Sequence, residues 1–150
     1  MQSHINYGCI LWGNTYNKYL KPLITLQKKA IRIITKSDYN AHTQPLFKIL
    51  NLLPLNQLYE LQCATFSYKL NNNQLPDNIQ TLFQIYRSQN QRDTRNNFQY
   101  DLPNTHLELA RRSVAYKSIK LWHELPSSNR EIATLQSFKN HYKKTLLNNL

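Results

Sequence analysis

Glycine is nearly missing from this chain: Gly8 and Gly13 are the two glycines among 150 residues. A fold built on glycine-rich phosphate loops or on tight hairpins is therefore excluded. Cysteine is as scarce. Cys9 and Cys63 stand apart among apolar residues, with no histidine at the close spacing that a zinc site needs. They read as buried thiols of a reducing, intracellular compartment, in the nucleus or the cytoplasm. Carboxylates are few and dispersed: Asp38, Asp77, Asp93, Asp101, Glu60, Glu108, Glu124 and Glu131 each stand alone. Two-metal phosphoryl transfer needs carboxylates converging on Mg²⁺, and no Asp-Asp, Asp-x-Asp or Glu-x-x-His pair is present. Residues distant in sequence can converge in a fold, but nothing in the spacing asks for it. His4, His42, His106, His123 and His141 are isolated too, and the serines lack a Gly-x-Ser-x-Gly elbow. No apolar run approaches the roughly 20 residues needed to span a bilayer. The opening Met-Gln-Ser-His carries no charged segment of the kind that begins a secretory signal. The expectation is a chain with no catalytic residue, no metal, no cofactor and no membrane partner.

Positive charge is what remains in excess. Lys and Arg number 19 against 8 acids, a net charge of +11. Residues 1–75 hold eight cations against two acids and residues 76–150 hold eleven against six, so the excess is spread along the chain. Such a surplus points to a polyanionic partner, most simply nucleic acid; a basic protein with no such partner is the alternative. Asn and Gln make up a fifth of the residues, densest at Asn71-Asn72-Asn73-Gln74 but otherwise dispersed.

The pattern of apolar residues predicts a mainly α fold: a small helical bundle, a long polar loop and a C-terminal helical tail. Ile5 to Trp12 is a short apolar segment, either a helix tail or a buried extended piece, broken by Gly13-Asn14. Pro22 to Thr35 is a helix with Pro22 in its first turn. Leu23, Leu26, Ala30, Ile31, Ile33 and Ile34 fall on one side of it, and Lys28, Lys29, Arg32 and Lys36 on the other. Thr43-Gln44-Pro45 reads as an N-cap with proline just inside. A helix from Pro54 to about Leu70 is apolar nearly all round, which marks it as the central core element. A short helical turn follows Leu75-Pro76-Asp77. Gln84 to His106 is polar, without period or apolar anchors, and is read as a loop. Leu107 to Leu125 forms one helix with Val114, Leu121, Trp122 and Leu125 on a face. Thr134 caps a last helix bearing Leu135, Phe138, Tyr142 and Leu146. The boundaries so drawn are 1–83, a helical domain; 84–106, a loop or strap; and 107–150, a helical tail.

Three features could carry function. The stripe Lys28, Lys29, Arg32, Lys36 could neutralise several backbone phosphates, or it could be a solvated outer face. Arg92-Asp93-Thr94-Arg95 offers two arginines to a phosphate, or is a solvated loop. The ten tyrosines could stack on single strands, although most sit at core spacing, which favours packing.

The order of short blocks adds a resemblance. Tyr7-Gly8-Cys9-Ile10-Leu11-Trp12-Gly13 is followed by Leu26-Gln27-Lys28-Lys29-Ala30-Ile31-Arg32-Ile33-Ile34. Then come His42-Thr43-Gln44-Pro45-Leu46-Phe47, Leu58-Tyr59-Glu60-Leu61-Gln62, Thr94-Arg95, Leu121-Trp122-His123-Glu124-Leu125-Pro126 and Phe138-Lys139. In this order the blocks resemble the thumb and C-terminal tail of jockey-like, LINE-type (non-LTR) retrotransposon reverse transcriptases, which are RNA-directed DNA polymerases. The likeness covers nearly the whole chain, and the series is far more specific than any single block. Two positions depart from it. The family carries Gly-Pro shortly before the tryptophan, where this chain has Ser118-Ile119, and Asn after it, where this chain has His123.

The resemblance implies a non-catalytic role. The family's fingers and palm, with the Tyr-x-Asp-Asp metal site, have no counterpart in these residues, so no polymerase activity is expected of them alone. A thumb holds template and primer by their RNA or DNA backbones, tolerant of sequence, beside the palm that would be its protein partner. The residues that would do so here are Lys28, Lys29, Arg32, Lys36 and Arg95, with the Trp122–Pro126 block serving packing. The competing expectation is a structural or protein-interaction remnant with no ligand of its own.

Overall fold

The computed structural model describes residues 2–88 and 99–150, and among these the fold is mainly α, with one isolated antiparallel bridge between Arg87 and Tyr100. Ten helices follow in order: α1 (Gln2–Asn6), α2 (Cys9–Trp12), α3 (Asn17–Ile34), α4 (Thr43–Ile49), α5 (Leu55–Asn71), α6 (Asp77–Phe83), α7 (Glu108–Arg111), α8 (Val114–Glu124), α9 (Ser127–Arg130) and α10 (Leu135–Asn148). A 3₁₀ turn, Gln84–Tyr86, extends α6. The chain packs as two units, Met1–Gln62 with Lys139–Leu150, and Cys63–Phe138. These units run across the boundaries drawn from composition at 83 and 106, because packing groups residues by contact and not by polarity along the chain.

In the first unit α3 begins five residues earlier than Pro22, so that Pro22 lies inside the helix. Pro22 is exposed, and the carbonyl that its missing N–H leaves without a helical partner lies on the wet side. The buried line along α3 is Leu20, Gln27 and Ile31. Leu26, Ile33 and Ile34, expected on the inner side, stand in solvent. The reason is Gln27, only 3% exposed, which occupies the inner face. Its Nε2 donates to the carbonyl of Leu53 at 3.0 Å, and its Oε1 accepts from the amide of Leu55 at 3.0 Å. Those two groups flank Pro54, which has no N–H to offer, so one side-chain amide closes the backbone requirements of the turn into α5. Periodicity counted Gln27 as polar and rotated the face accordingly.

The opening block folds for local reasons. Gly8 adopts φ 60° between α1 and α2. The Trp12 indole N–H then reaches back to the Tyr7 carbonyl at 3.0 Å. A Cβ at Gly13 would lie 2.6 Å from both the Cys9 carbonyl oxygen and the Tyr59 ring, so only glycine fits there. Elsewhere the fold ends helices without glycine. Lys36, Asn51 and Asn73 sit at φ 52°, 52° and 53° just past α3, α4 and α5. Each end is closed by two bonds of the Schellman type: Ser37 N–H to Arg32 and Lys36 N–H to Ile33 at the first, Leu52 to Phe47 and Asn51 to Lys48 at the second, and Gln74 to Lys69 and Asn73 to Leu70 at the third. Asn tolerates the left-handed region through its short polar side chain; Lys does so less well. The helix at Thr43 starts one residue ahead of the expected cap: His42 is the flanking residue and makes no side-chain cap, while Thr43 is already helical and buried. Tyr142 on α10 donates its hydroxyl to Glu60 on α5 at 2.7 Å.

The second unit is built on rings. Tyr68 stacks on Phe138 with centroids 4.8 Å apart, and Trp122 lies 6.4 Å from each. The Tyr68 hydroxyl is satisfied by the Ile132 carbonyl at 2.8 Å. Leu70, Phe83, Tyr100 and Ile119 form a neighbouring core cluster, with Phe66 and Tyr86 against it. The segment read as an anchorless polar loop thus carries two anchors, Tyr86 and Tyr100, in the cluster with Phe83. The expected single helix over Leu107–Leu125 is broken at Ser113, whose hydroxyl caps α8 by accepting from the Tyr116 amide. Both departures from the family blocks are absorbed into packing. Ser118 is buried and its carbonyl accepts the Ser67 hydroxyl at 2.7 Å, while a His123 ring nitrogen lies 2.9 Å from the Tyr100 carbonyl oxygen. Thr134 caps α10 as expected, accepting from the Ser137 amide, and Phe138, Tyr142 and Leu146 are buried at four-residue intervals.

Candidate nucleic-acid interface

The long helix α3 carries a row of cations. Starting at Asn17, it carries Lys18, Lys21, Lys28, Lys29 and Arg32, and Lys36 follows in the turn. No carboxylate precedes Asp38 in the sequence, so six cations occur in a stretch without a single acid. At about 100° per residue, Lys21, Lys28 and Arg32 lie along one line of α3 and Lys18 and Lys29 along the next. The lysines are exposed. Among the described residues none of Lys18, Lys21, Lys28, Lys29 and Lys36 enters an ion pair; Lys18 lies over the Tyr19 ring, 4.8 Å from its centroid.

The five residues singled out from sequence therefore have different situations. Lys28 and Lys29 are free on the surface of α3. Lys36 is exposed, but on the left-handed residue that ends the helix. Arg32 is half-buried and donates its Nε to the Ala41 carbonyl at 3.0 Å, fastening the turn after α3 while its terminal amino groups stay available. Arg95 lies outside the described residues, as does the rest of the Arg92–Arg95 segment. Lys18 and Lys21 escaped the sequence reading because the helix was started at Pro22. The acid-free run up to Ser37 was the signal that could have found them.

The charge is also distributed by unit. The first unit, residues 1–62 and 139–150, holds ten cations against two carboxylates; the second, residues 63–138, holds nine against six. The even spread along the chain hides this, since the lysines of α10 belong to the first unit. Beside Lys28 is an open cleft of about 510 Å³, lined also by Ile24, His42, Phe47, Pro54, Asn56 and Gln57. Thr43, Gln44 and the last residue, Leu150, complete its lining.

Burial pushes the Cys9 thiol up to about 11, which keeps it protonated and unreactive at neutral pH. Cys63 is buried as well. Among the described residues no three His, Cys, Asp or Glu side chains come together as metal ligands, and no helix is long and apolar enough to cross a membrane. No protein-family model, no curated protein and no solved structure matches the chain.

Proposed function

We propose that this chain is a backbone-binding, non-catalytic piece of a LINE-type reverse transcriptase, corresponding to the thumb and C-terminal region, and that α3 is the element that meets RNA or DNA. The ordered series of sequence blocks supports the family. The observation that carries the binding role is the acid-free run through residue 37, with four lysines exposed on α3 and none of them neutralised by a carboxylate. Unpaired lysines on a rigid helix attract phosphates without reading bases, which gives affinity tolerant of sequence and steeply dependent on salt.

The test is a salt titration of binding. With about four phosphate contacts, log K should fall against log salt with a slope near −3 for single strands and nearer −4 for duplex. Changing Lys18, Lys21, Lys28 and Lys29 together to Gln should remove most of that slope and leave helicity unchanged, since all four are exposed. The matched control is Arg111, Lys117, Lys120 and Lys69 to Gln in the second unit. Equal weakening by both sets would show attraction by bulk charge alone. Absence of binding at low salt would remove the reading altogether.

A second reading has one observation behind it. Tyr19, Leu26 and Ile33 recur every seven residues along α3 and are 63%, 60% and 76% exposed. Such a row can dock on another protein, including the polymerase palm that the resemblance implies. Association of the chain with a separately expressed palm, lost in Leu26→Gln/Ile33→Gln, would establish it.

A further inference from the structure

We infer that the first unit favours the unpaired stretch of a strand, such as template beyond its primer, over blunt duplex, seating an unpaired base in the cleft beside Lys28 and stacking others on its exposed tyrosines. The inference rests on the backbone-binding reading of α3 and specifies its ligand.

Three observations converge on it. Four of the ten tyrosines, Tyr7, Tyr16, Tyr19 and Tyr39, are exposed, and all four belong to the cation-rich first unit. Tyr59 and Tyr142 of that unit, and every tyrosine of the second, are buried or half-buried. Rings in solvent next to unpaired lysines are what a single strand uses: phosphates on the cations and base faces on the rings. A duplex keeps its base faces stacked inside and can offer them to neither.

The second observation is placement along α3. An 18-residue helix is about 27 Å long. Tyr19 lies near its start and Tyr39 just beyond its end, with Lys21, Lys28 and Lys29 between them. The exposed row of Tyr19, Leu26 and Ile33 runs next to the line of Lys18 and Lys29, so apolar and cationic strips lie side by side. A strand laid along the helix meets both at once.

The third is the cleft. Phe47 and Pro54 contribute apolar wall, Asn56 and Gln57 contribute amides, and Lys28 stands at its edge. The Gln57 Oε1 is sealed from solvent and accepts no hydrogen bond from the protein, so it meets a ligand only when the side chain turns into the cleft that it lines. A buried acceptor without a donor is costly, and turning out to meet a ligand's N–H relieves it. A flat body with N–H donors, attached to a phosphate, describes a nucleotide with an unpaired base. The cleft's volume of about 510 Å³ is ample for one.

The experiment compares three labelled probes of equal length by fluorescence anisotropy on the full chain: a mixed-sequence single strand, the same strand made abasic, and the blunt duplex. The base-bearing strand should bind at least roughly tenfold more tightly than the abasic one, since stacking on one ring alone accounts for about that factor. Tyr19→Ala and Gln57→Leu should each weaken the base-bearing strand and leave the abasic strand unchanged, with the salt slope preserved. Lys28→Gln should weaken both and reduce the slope by about 0.7. Far-UV circular dichroism of each variant separates loss of the site from loss of the fold. Equal binding of base-bearing and abasic strands, or tighter binding of duplex, overturns the inference and leaves the backbone-binding role standing. Preference for bases that neither Tyr19→Ala nor Gln57→Leu disturbs overturns the site. Binding of no probe at low salt removes both the inference and the role beneath it.

Discussion

The two units answer their cations differently. In the first, polar side chains inside do structural work and the cations stay outside without acids. Gln27 closes the turn at Pro54, Arg32 fastens Ala41, and Glu60, one of two carboxylates there, is engaged by Tyr142. In the second, stacked rings share the interior with buried hydroxyls such as Ser67 and Ser118, and some of the surface cations are paired. Arg112 pairs with Glu108 at 3.0 Å and Lys120 with Glu124 at 3.6 Å. A helical surface whose charges are answered locally is a solvated surface. One whose cations are left unanswered repels itself unless an anion comes, and that repulsion is tolerated in the unit where binding is proposed.

The largest effects should come from the interiors, and they should differ in kind. Phe138→Ala removes a fully buried ring from the trio with Tyr68 and Trp122 and should cost about 3–5 kcal/mol. Gln27→Leu preserves volume yet leaves the Leu53 carbonyl and the Leu55 amide without a partner in a buried place, at about 1–3 kcal/mol for each group. Urea denaturation gives both numbers. A Gln27→Leu protein as stable as the parent would mean that apolar burial alone holds the turn into α5, and the contrast with the ring cluster would fail.

These interiors also mark what could be read from the sequence. α5 was legible because apolar residues run nearly all round it, α10 because Phe138, Tyr142 and Leu146 recur at helical intervals, and Thr134 is a recognisable cap. The start of α3 and its inward face were not, because a proline drew the boundary and a buried glutamine holds the place of an apolar residue. The break at Ser113 was hidden for the opposite reason: apolar residues continue through it, and one serine hydroxyl decides. The lysines at 28 and 29 were legible from phase alone. Lys18 and Lys21 were lost with the helix start, and the partition of charge between units depends on the return of α10, which no local pattern carries. Gln57 and its unused acceptor depend on the path of the chain around Pro54 and were equally out of reach.

A smaller effect, of opposite sign, comes from the helix ends. Lys36, Asn51 and Asn73 occupy left-handed backbone where a chain richer in glycine would place that residue. Lys36→Gly should raise stability by about 1 kcal/mol, and Asn51→Gly or Asn73→Gly by less, since Asn is the better tolerated of the two. Thermal melts rank the three. Lys36→Gly also separates structure from binding: it removes one proposed contact while stabilising the fold, so the salt slope should shallow by about 0.7 for a single strand as the melting point rises. A variant that melts higher and keeps the parent's slope would take Lys36 out of the interface and confine it to α3 itself.

The smallest change in stability, and the sharpest test of the contrast, is to unmask the second unit's own cations. Glu108→Gln and Glu124→Gln break two pairs of the i, i+4 kind, Lys120–Glu124 in the open and Arg112–Glu108 with its guanidinium half-buried; each is worth about 0.3–0.5 kcal/mol, so the double variant should fold with nearly parental stability. It raises the net charge by two and frees Arg112 and Lys120 of their carboxylates. If binding follows total charge, the slope of log K against log salt should steepen by about 1.4 for a single strand and the affinity at low salt should rise. If binding belongs to the lysines of α3, the slope should hold, because charges in the other unit add attraction at a distance but no phosphate contact, and screening at ordinary salt confines them to about 8–10 Å. A steepened slope would place the interaction in the charge of the chain as a whole; a constant one keeps it on the helix where no acid answers the lysines.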